Sequence, residues 1–242
     1  PHQANAAGAS PPAVSGSMRG ASGVDLSGSP AREARYEYEV CLKCHGIRDQ
    51  ATPGIIRQDS TRNVRLEISP ANASYHPVAA VGKHPTLQGF QPGYTASSLI
   101  GCTDCHNNDE SALSGSRPRG PHGSRFAPML EREYQQGDPV LESFQSAALC
   151  YKCHTRSAMV SAGRFPHEVH LREMGGASCA VCHDAHGSRR YIRLINFMLR
   201  DRTGKVVVSP NRSGLLEFID RGAGRGECSM NCHGKDHHRI PY

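Results

Sequence analysis

Residues 149–188 read LCYKCHTRSAMVSAGRFPHEVHLREMGGASCAVCHDAHGS. The segment contains the pattern Cys-x-x-Cys-His twice, at 150–154 and at 179–183, with His167 and His170 between the two copies. This spacing is typical of c-type haem attachment, in which two thiols add to the vinyl groups of one porphyrin and the following His reaches the iron. The segment therefore predicts two covalently bound haems.

The same pattern recurs outside this segment and accounts for every cysteine of the chain. Two more copies begin at Cys41 and Cys102, and a longer variant, Cys-x-x-x-Cys-His, occupies 228–233. The sequence thus predicts five haem c groups, numbered I to V along the chain. The predicted attachment residues are Cys41, Cys44, Cys102, Cys105, Cys150, Cys153, Cys179, Cys182, Cys228 and Cys232, and the predicted proximal iron ligands are His45, His106, His154, His183 and His233.

Three other uses of cysteine fit the pattern less well. A disulfide framework gives no reason for a His after every second cysteine. Zinc sites made of paired Cys-x-x-Cys knuckles would leave one of the five motifs unpaired and all five histidines unused. A redox-active Cys-x-x-Cys is expected once, beside a βαβ pattern that the sequence lacks.

The composition also indicates a cofactor-built protein. Leu, Ile, Val and Phe make up about 17% of the 242 residues, and there is no Trp. So few large apolar side chains do not offset the conformational entropy of folding by themselves. Five large apolar macrocycles would supply the missing core, so the chain without haem is predicted to be unfolded.

Nine further histidines are possible distal ligands, and they are His2, His76, His84, His122, His167, His170, His186, His237 and His238. The six Met show no repeated relation to the motifs, so His is predicted as the second axial ligand of each iron. His186 follows His183 by three residues, and His237 follows His233 by four. Since a residue so close cannot reach round its own porphyrin, His186 and His237 are each predicted to ligate a neighbouring haem.

The remaining candidates are separated by their local sequence. His122 lies in a turn-rich segment and His76 precedes a proline, as expected for ligands on loops. His167 and His170 are three residues apart; one of them is predicted to bind iron, with His170 preferred. The histidines predicted not to be ligands are His2, His84 and His238.

The chain resembles the secreted multihaem c-type cytochromes of metal-reducing bacteria over residues 35–242. The resemblance rests on the doubled motif at 149–188 and on YHPV (75–78), CTDCHNND with GPHGS (102–124), LINF (194–197) and CSMNCHGKDH (228–237). It implies low-potential haems with two His ligands in a closely spaced chain, with His76, His122, His186 and His237 as distal ligands. Some members of this family stack into extracellular conductive filaments. Lys83-His84 departs from the family pattern, so His84 is either incidental or a substitute ligand.

The predicted fold class is a mostly irregular, haem-organised multihaem cytochrome c fold with few short α-helices and a minor β-hairpin. Residues 1–32, rich in Ala, Gly, Ser and Pro, are predicted to form an arm. Residues 33–242 are predicted to form one pentahaem unit, with haems I and II in 33–142, III and IV in 143–190, and V in 191–242. Helices are predicted at 32–44, 96–106, 127–135, 141–153 and 178–183, and strands at 191–197, 205–208 and 215–219.

The net charge of +6 is not taken to indicate a nucleic-acid partner, because ten haem propionates would reverse the balance. No apolar run approaches the roughly 18 residues of a membrane span, so none is predicted. The start of the sequence lacks a basic segment followed by an apolar one, so any export signal is expected to have been removed or omitted. Haem attachment occurs outside the cytoplasmic membrane, which predicts an extracellular or cell-surface location, with the periplasm as the alternative.

These features predict an electron carrier rather than an enzyme. The alternatives are a multihaem reductase of the nitrite, hydroxylamine or sulfite type, which needs an open iron position, and a monomeric periplasmic shuttle. The predicted partners are redox proteins or extracellular electron acceptors, together with further copies of the chain. An arm with so little apolar surface is expected to be held by a neighbouring copy, which predicts a head-to-tail filament.

Overall fold

The structure is a computed structural model that describes residues 8–46, 54–61, 63–110, 120–121, 123–172 and 175–242. Its helices are short: α1 Glu37–His45, α2 Val64–Glu67, α3 Ala148–Tyr151, α4 His167–Arg172 and α5 Cys179–Cys182. Single 3-10 turns occur at Gly16–Met18 and Cys102–Asp104, and a π turn occurs at Ser157–Ser161. No helix in these ranges is both long and apolar enough to cross a membrane.

The strands of the described ranges form small antiparallel sheets. Three are two-stranded: β1 Gly23–Val24 with β2 Pro30–Ala31, β3 Ile56–Arg57 with β6 Met198–Arg200, and β4 Ser74–Tyr75 with β5 Gly187–Ser188. The fourth sheet contains β7 Val208–Ser209, β8 Glu217–Gly222, β9 Arg225–Cys232 and β10 Lys235–Pro241, with β9 pairing to the other three. The structure is compatible with the predicted irregular chain with few short helices, but its described ranges contain four small antiparallel sheets where a minor β-hairpin was predicted.

Individual helices agree with the sequence only in part. The helix predicted at 178–183 is α5, and that at 32–44 is α1, which begins only at Glu37. The prediction for 127–135 is wrong, because this backbone serves the second motif: Glu131 N–H donates to the Cys105 carbonyl at 2.8 Å. Within 96–106 only a 3-10 turn forms, and within 141–153 only α3.

The predicted strands are displaced towards the C-terminus. The segment 191–197 turns at Arg193 and Leu194, whose φ values of 58° and 59° are incompatible with a strand, and β6 begins only at Met198. The strands predicted at 205–208 and 215–219 correspond to β7 and β8. Strand β9, which carries the fifth cysteine motif, was not predicted.

Two clusters of buried side chains lie beside the cysteine motifs. The larger joins Val181 of α5 with Phe197 and Met198 and with Val208 and Phe218 of the four-stranded sheet. The smaller surrounds Tyr38 and Leu42 of α1, next to the first two motifs, and includes Ile68 and Val78. Partly buried cysteines pack against both clusters, so the apolar contacts of this chain are concentrated where its motifs meet.

The described part of the N-terminal arm packs on its own chain. Val14 N–H donates to the Arg35 carbonyl at 3.0 Å, and Ala34 N–H donates to the Ala21 carbonyl at 2.8 Å. Gly23 lies so close to α1 that a Cβ atom there would come within 2.9 Å of Glu39. The described part of the arm is therefore held by contacts within its own chain.

Candidate functional site

The first four cysteine motifs lie on single helical turns. A helical turn brings residues i, i+3 and i+4 to one face, so both thiols and the following imidazole project together. The turns are closed by backbone hydrogen bonds from the motif histidine to the first cysteine: His106 to Cys102 at 2.8 Å, His154 to Cys150 at 3.0 Å and His183 to Cys179 at 2.9 Å. None of the ten cysteines forms a disulfide bond.

Cysteines of successive motifs lie close enough to affect one another's pKa. Cys41 and Cys102 share a side-chain hydrogen bond. Burial raises the pKa of Cys105 and of Cys150 to about 12, with smaller contributions from Cys153 and Cys179 respectively. Burial also raises the pKa of Cys182, with smaller contributions from Cys232 and Cys228.

Eight imidazole rings are arranged in four pairs of nearly equal geometry. The centroid distances and interplanar angles are 6.5 Å and 37° for His76–His154, 6.2 Å and 28° for His106–His186, 6.4 Å and 27° for His167–His183, and 6.4 Å and 32° for His170–His237. The other aromatic contacts of the described residues scatter from 4.7 to 6.4 Å and from 18° to 88°. The narrow range of centroid distances and interplanar angles in the four pairs indicates that the same kind of group separates the two rings in each pair.

The centroid distance of the paired rings matches the separation of two imidazoles that bind one metal ion from opposite sides. With a metal–nitrogen bond of about 2 Å on each side and about 1 Å from each nitrogen to its ring centroid, the centroids lie ~6 Å apart. No group of three or more His, Cys, Asp or Glu side chains in the described ranges could hold a bare metal ion. Two imidazoles per site match the axial positions of haem, whose porphyrin fills the other four.

Hydrogen bonds at Nδ1 orient six of the eight paired rings. Carbonyl groups accept in five cases, namely His76 to Ala185, His106 to Pro128 at 3.2 Å, His170 to Pro166 at 3.0 Å, His183 to Arg193 at 2.8 Å and His237 to Lys235 at 3.2 Å. The carboxylate of Glu67 accepts from His186 at 2.8 Å. Because these acceptors require a proton on Nδ1, the lone pair of the neutral ring is on Nε2, the nitrogen that a metal would bind.

Burial keeps several of these imidazoles neutral. It lowers the pKa of His154 to about 4, with His76 adding to the effect, and it lowers the pKa of His167 to about 4, with a contribution from His183. Burial also lowers the pKa of His76 and His183. Neutral imidazole is the form that ligates metal, so these residues fit the axial positions of haem at neutral pH.

Two short elements hold rings of different pairs side by side. The β4–β5 ladder continues into a hydrogen bond of 3.0 Å from His76 N–H to the His186 carbonyl, so these two rings are neighbours although their partners belong to motifs III and II. Helix α4 carries His167 and His170 three residues apart on one face. The ring of Phe165 contacts both, with centroid distances of 4.7 Å.

The structure thus pairs both members of the His167–His170 couple, whereas the sequence indicated one of them. It also uses residues that the sequence did not single out. Glu67 lies 119 positions from His186, and no sequence pattern links them. The pairing of both His167 and His170, rather than of one alone, could have been suspected from their i, i+3 spacing, because it places both rings on the same face of a helix.

The other predicted site residues are placed as follows. His45 is exposed at the end of α1, and no imidazole of the described residues pairs with it. His122 and His2 lie outside the described residues. Nε2 of His84 is buried without a hydrogen-bond partner, and His238 is exposed on β10. His233 directs Nε2 to the Asp138 carboxylate at 2.9 Å.

Comparison with known protein families identifies one match. The model of the outer membrane cytochrome family described as MtrC/MtrF-like, domains II/IV, matches residues 24–193, a range that contains the first four motifs but not the fifth. No curated protein and no solved structure matches the chain. Since the match extends over more than half of the sequence, the chain belongs to the MtrC/MtrF-like outer membrane cytochrome family.

Proposed function

We propose that this protein transfers electrons through five haem c groups whose irons lie between paired imidazoles. The observation that carries the proposal is the set of four His pairs, each with an iron-sized gap. Haem c, when bound, supplies a one-electron iron couple. Family membership supports the same conclusion, because the matching model is one of outer membrane cytochromes.

The chain's own residues have two roles in this proposal. The ten cysteines anchor the porphyrins, and the imidazoles fix them from both sides. The proposed ligand pairs are His106 with His186 at haem II, His154 with His76 at haem III, and His183 with His167 at haem IV. His45 is the proposed proximal ligand of haem I, and His122 remains its predicted distal ligand.

The arrangement of ligands favours a relay rather than isolated redox centres. The β4–β5 ladder ties the ligand of motif II to that of motif III, and α4 carries ligands of two successive pairs. Two His ligands per iron keep haem potentials low, because Met as a sixth ligand raises them.

The proposed location is extracellular or at the cell surface, with redox proteins or extracellular electron acceptors as partners. The family name supports an outer membrane setting. Self-association into a filament remains a prediction, and the intramolecular packing of residues 8–32 does not support it.

The proposal is tested on protein produced in a bacterial host that attaches haem c in its periplasm. Intact mass and the pyridine haemochrome spectrum should give five haems per chain, and the oxidised protein should be low-spin. Mixing the reduced protein with a soluble ferric chelate should oxidise all five haems. Fewer than five haems, or reduced protein that is not oxidised, would contradict the proposal.

A reductase with one open iron remains the second candidate. The predicted distal ligand of haem I, His122, lies outside the described residues, so motif I is the place to look for an open position. A high-spin ferric signal in the wild-type protein, removed by adding cyanide or nitrite, would support the reductase. A fully low-spin spectrum that is insensitive to both anions would support the electron carrier.

A further inference from the structure

The fifth motif differs from the other four in spacing and in local structure. In Cys-x-x-Cys-His the first cysteine and the histidine are four residues apart and share a helical face. The extra residue places His233 five residues after Cys228, which on a helix would turn it about 140° away. The structure does not form a helix here, because residues 225–232 are strand β9.

On a strand, both cysteines of this motif face one side and the histidine cannot join them. Cys228, Met230 and Cys232 alternate with residues of the opposite face, so all three project to the side of the larger buried cluster. The residue after Cys232 would point the other way. His233 instead begins the turn into β10, with a φ of 52°, followed by Gly234 with a φ of 74°.

The imidazole of His233 is committed to a different partner. Its Nε2 lies 2.9 Å from Oδ1 of Asp138, whose side chain is 1% exposed. Lys205 Nζ donates to the carbonyl of Asp138 at 2.9 Å, which fixes this residue further. His233 therefore directs to a carboxylate the same nitrogen, Nε2, that we propose as the iron-binding atom of the other rings.

His237 has every feature that His233 lacks. The β9–β10 register pairs it with Met230, so its side chain lies on the face of the two cysteines and midway between them. Its Nδ1 is held by the Lys235 carbonyl at 3.2 Å, and the Nδ1 of His170 is held by the Pro166 carbonyl at 3.0 Å. The two rings are 6.4 Å apart, as in the three pairs that include a motif histidine.

We propose that the iron of haem V is ligated by His237 and His170, and that His233 is no iron ligand but anchors the β9–β10 turn to Asp138. This inference rests on the proposed function, since it assumes that haem c is attached at Cys228 and Cys232. Under this inference the haem V site lies on the β9–β10 hairpin. Helix α4 connects it to the haem IV site, because α4 carries both His170 and His167. The family match ends at residue 193, before this hairpin, so it does not bear on these ligands.

The test measures the spin state of the oxidised holoprotein by electron paramagnetic resonance, with intact mass to confirm that five haems remain attached. Converting His237→Ala or His170→Ala should each make about a fifth of the iron high-spin, because one axial bond is lost. Added imidazole should restore the low-spin signal. His233→Ala should leave all haems low-spin, as should His238→Ala, a matched control on the exposed neighbour of His237.

A second variant covers the case in which the alanine proteins lose haem V. His237→Met should retain a low-spin iron and raise the potential of one haem, because a thioether replaces an imidazole. If no potential moves in His237→Met, or if His233→Ala becomes high-spin while His237→Ala does not, the inference is overturned. His167→Ala, at haem IV, separates the two proposals: if it converts one haem while His237→Ala converts none, only the present inference fails.

Discussion

At the scale of single residues, the acceptor at Nδ1 tunes the imidazole as well as orienting it. Most paired rings donate to a neutral carbonyl, whereas His186 donates to the carboxylate of Glu67, whose side chain is 15% exposed. A carboxylate partner makes the imidazole a stronger electron donor and stabilises ferric iron. Under the proposed ligation, the haem bound by His186 should therefore have a lower midpoint potential than one whose ligand donates to a neutral carbonyl.

We expect Glu67→Gln to raise the midpoint potential of one haem while all five stay low-spin, because the amide still accepts the Nδ1 hydrogen bond but carries no charge. Spectroelectrochemical titration measures the shift. Glu33→Gln, at an exposed position, is the matched control and should change nothing. An unchanged titration curve in Glu67→Gln would show that the contact does not affect the iron.

Glu142 is a buried carboxylate that braces the third motif. It accepts hydrogen bonds from Tyr151 Oη at 2.7 Å and from Arg156 Nε at 2.8 Å, and its side chain is 5% exposed. The hydrogen bond from Arg156 lowers the pKa of Glu142, and that from Tyr151 adds to the effect. A group whose pKa is lower in the folded protein stabilises it above the unfolded pKa, and this contribution is lost as the pH falls through the lowered value.

We expect Glu142→Gln to reduce the free energy of unfolding at pH 7 by about 1–3 kcal/mol, since a charge-assisted hydrogen bond is replaced by a neutral one. The difference from wild type should shrink in acid, as Glu142 is protonated in the wild-type protein. Urea denaturation of both holoproteins at neutral and acidic pH provides the comparison. A difference that grows in acid would contradict this reading.

At the scale of elements, the β4–β5 ladder depends on a glycine. A Cβ atom at Gly187 would lie 2.2 Å from the carbonyl oxygen of Glu67 and 3.0 Å from that of Ser74. Real side chains do not approach backbone so closely, so any other residue must push β5 away from α2 and from β4. The rings of His76 and His186 lie directly beyond this ladder and would move with it.

Gly187→Ala is therefore expected to disturb two haems at once, II and III, and to give high-spin or shifted signals from both. Gly82→Ala is the matched control, because a Cβ atom there meets nothing within 4 Å. Resonance Raman spectra of the two holoproteins report the ligation state of each. Wild-type spectra for Gly187→Ala would show that the ladder tolerates the strain and does not set the ligand positions.

Elements were predictable where motif spacing and local geometry coincide. The helical turns at 41–45 and 179–183 follow from the i, i+3, i+4 relation of the haem motif. Strand β9 had its own signal, the alternation of Cys228, Met230 and Cys232 with Ser229 and Asn231, but the resemblance to a haem motif concealed it. The segment 127–135 was not predictable, because its conformation follows from hydrogen bonds to a motif distant in sequence.

At the scale of the whole molecule, the pairing of distant ligands was predictable in kind but not in detail. Position alone predicted that His186 serves another haem, and the structure pairs its ring with that of His106. Which rings meet depends on β4, β5 and α4, whose packing no local pattern encodes. The same holds for the arm, whose composition indicated no intramolecular partner although Val14 and Ala34 both bond within the chain.

The arm gives a prediction about assembly. Deleting residues 1–31 should leave five haems attached, because every motif lies beyond this range. The family resemblance suggested a filament. If the arm contacts a second copy in such a filament, the deletion should abolish it. Electron microscopy of both proteins at high concentration decides: polymers that persist in the deletion variant would show that the arm plays no part in assembly.

The central claim is that iron lies between the paired imidazoles, and anomalous diffraction at the iron absorption edge tests it most directly. In crystals of the holoprotein we expect five iron peaks per chain, four of them midway between the rings of His76 and His154, His106 and His186, His167 and His183, and His170 and His237. Peaks that appear at the zinc edge instead, or iron peaks away from these ring pairs, would contradict the account.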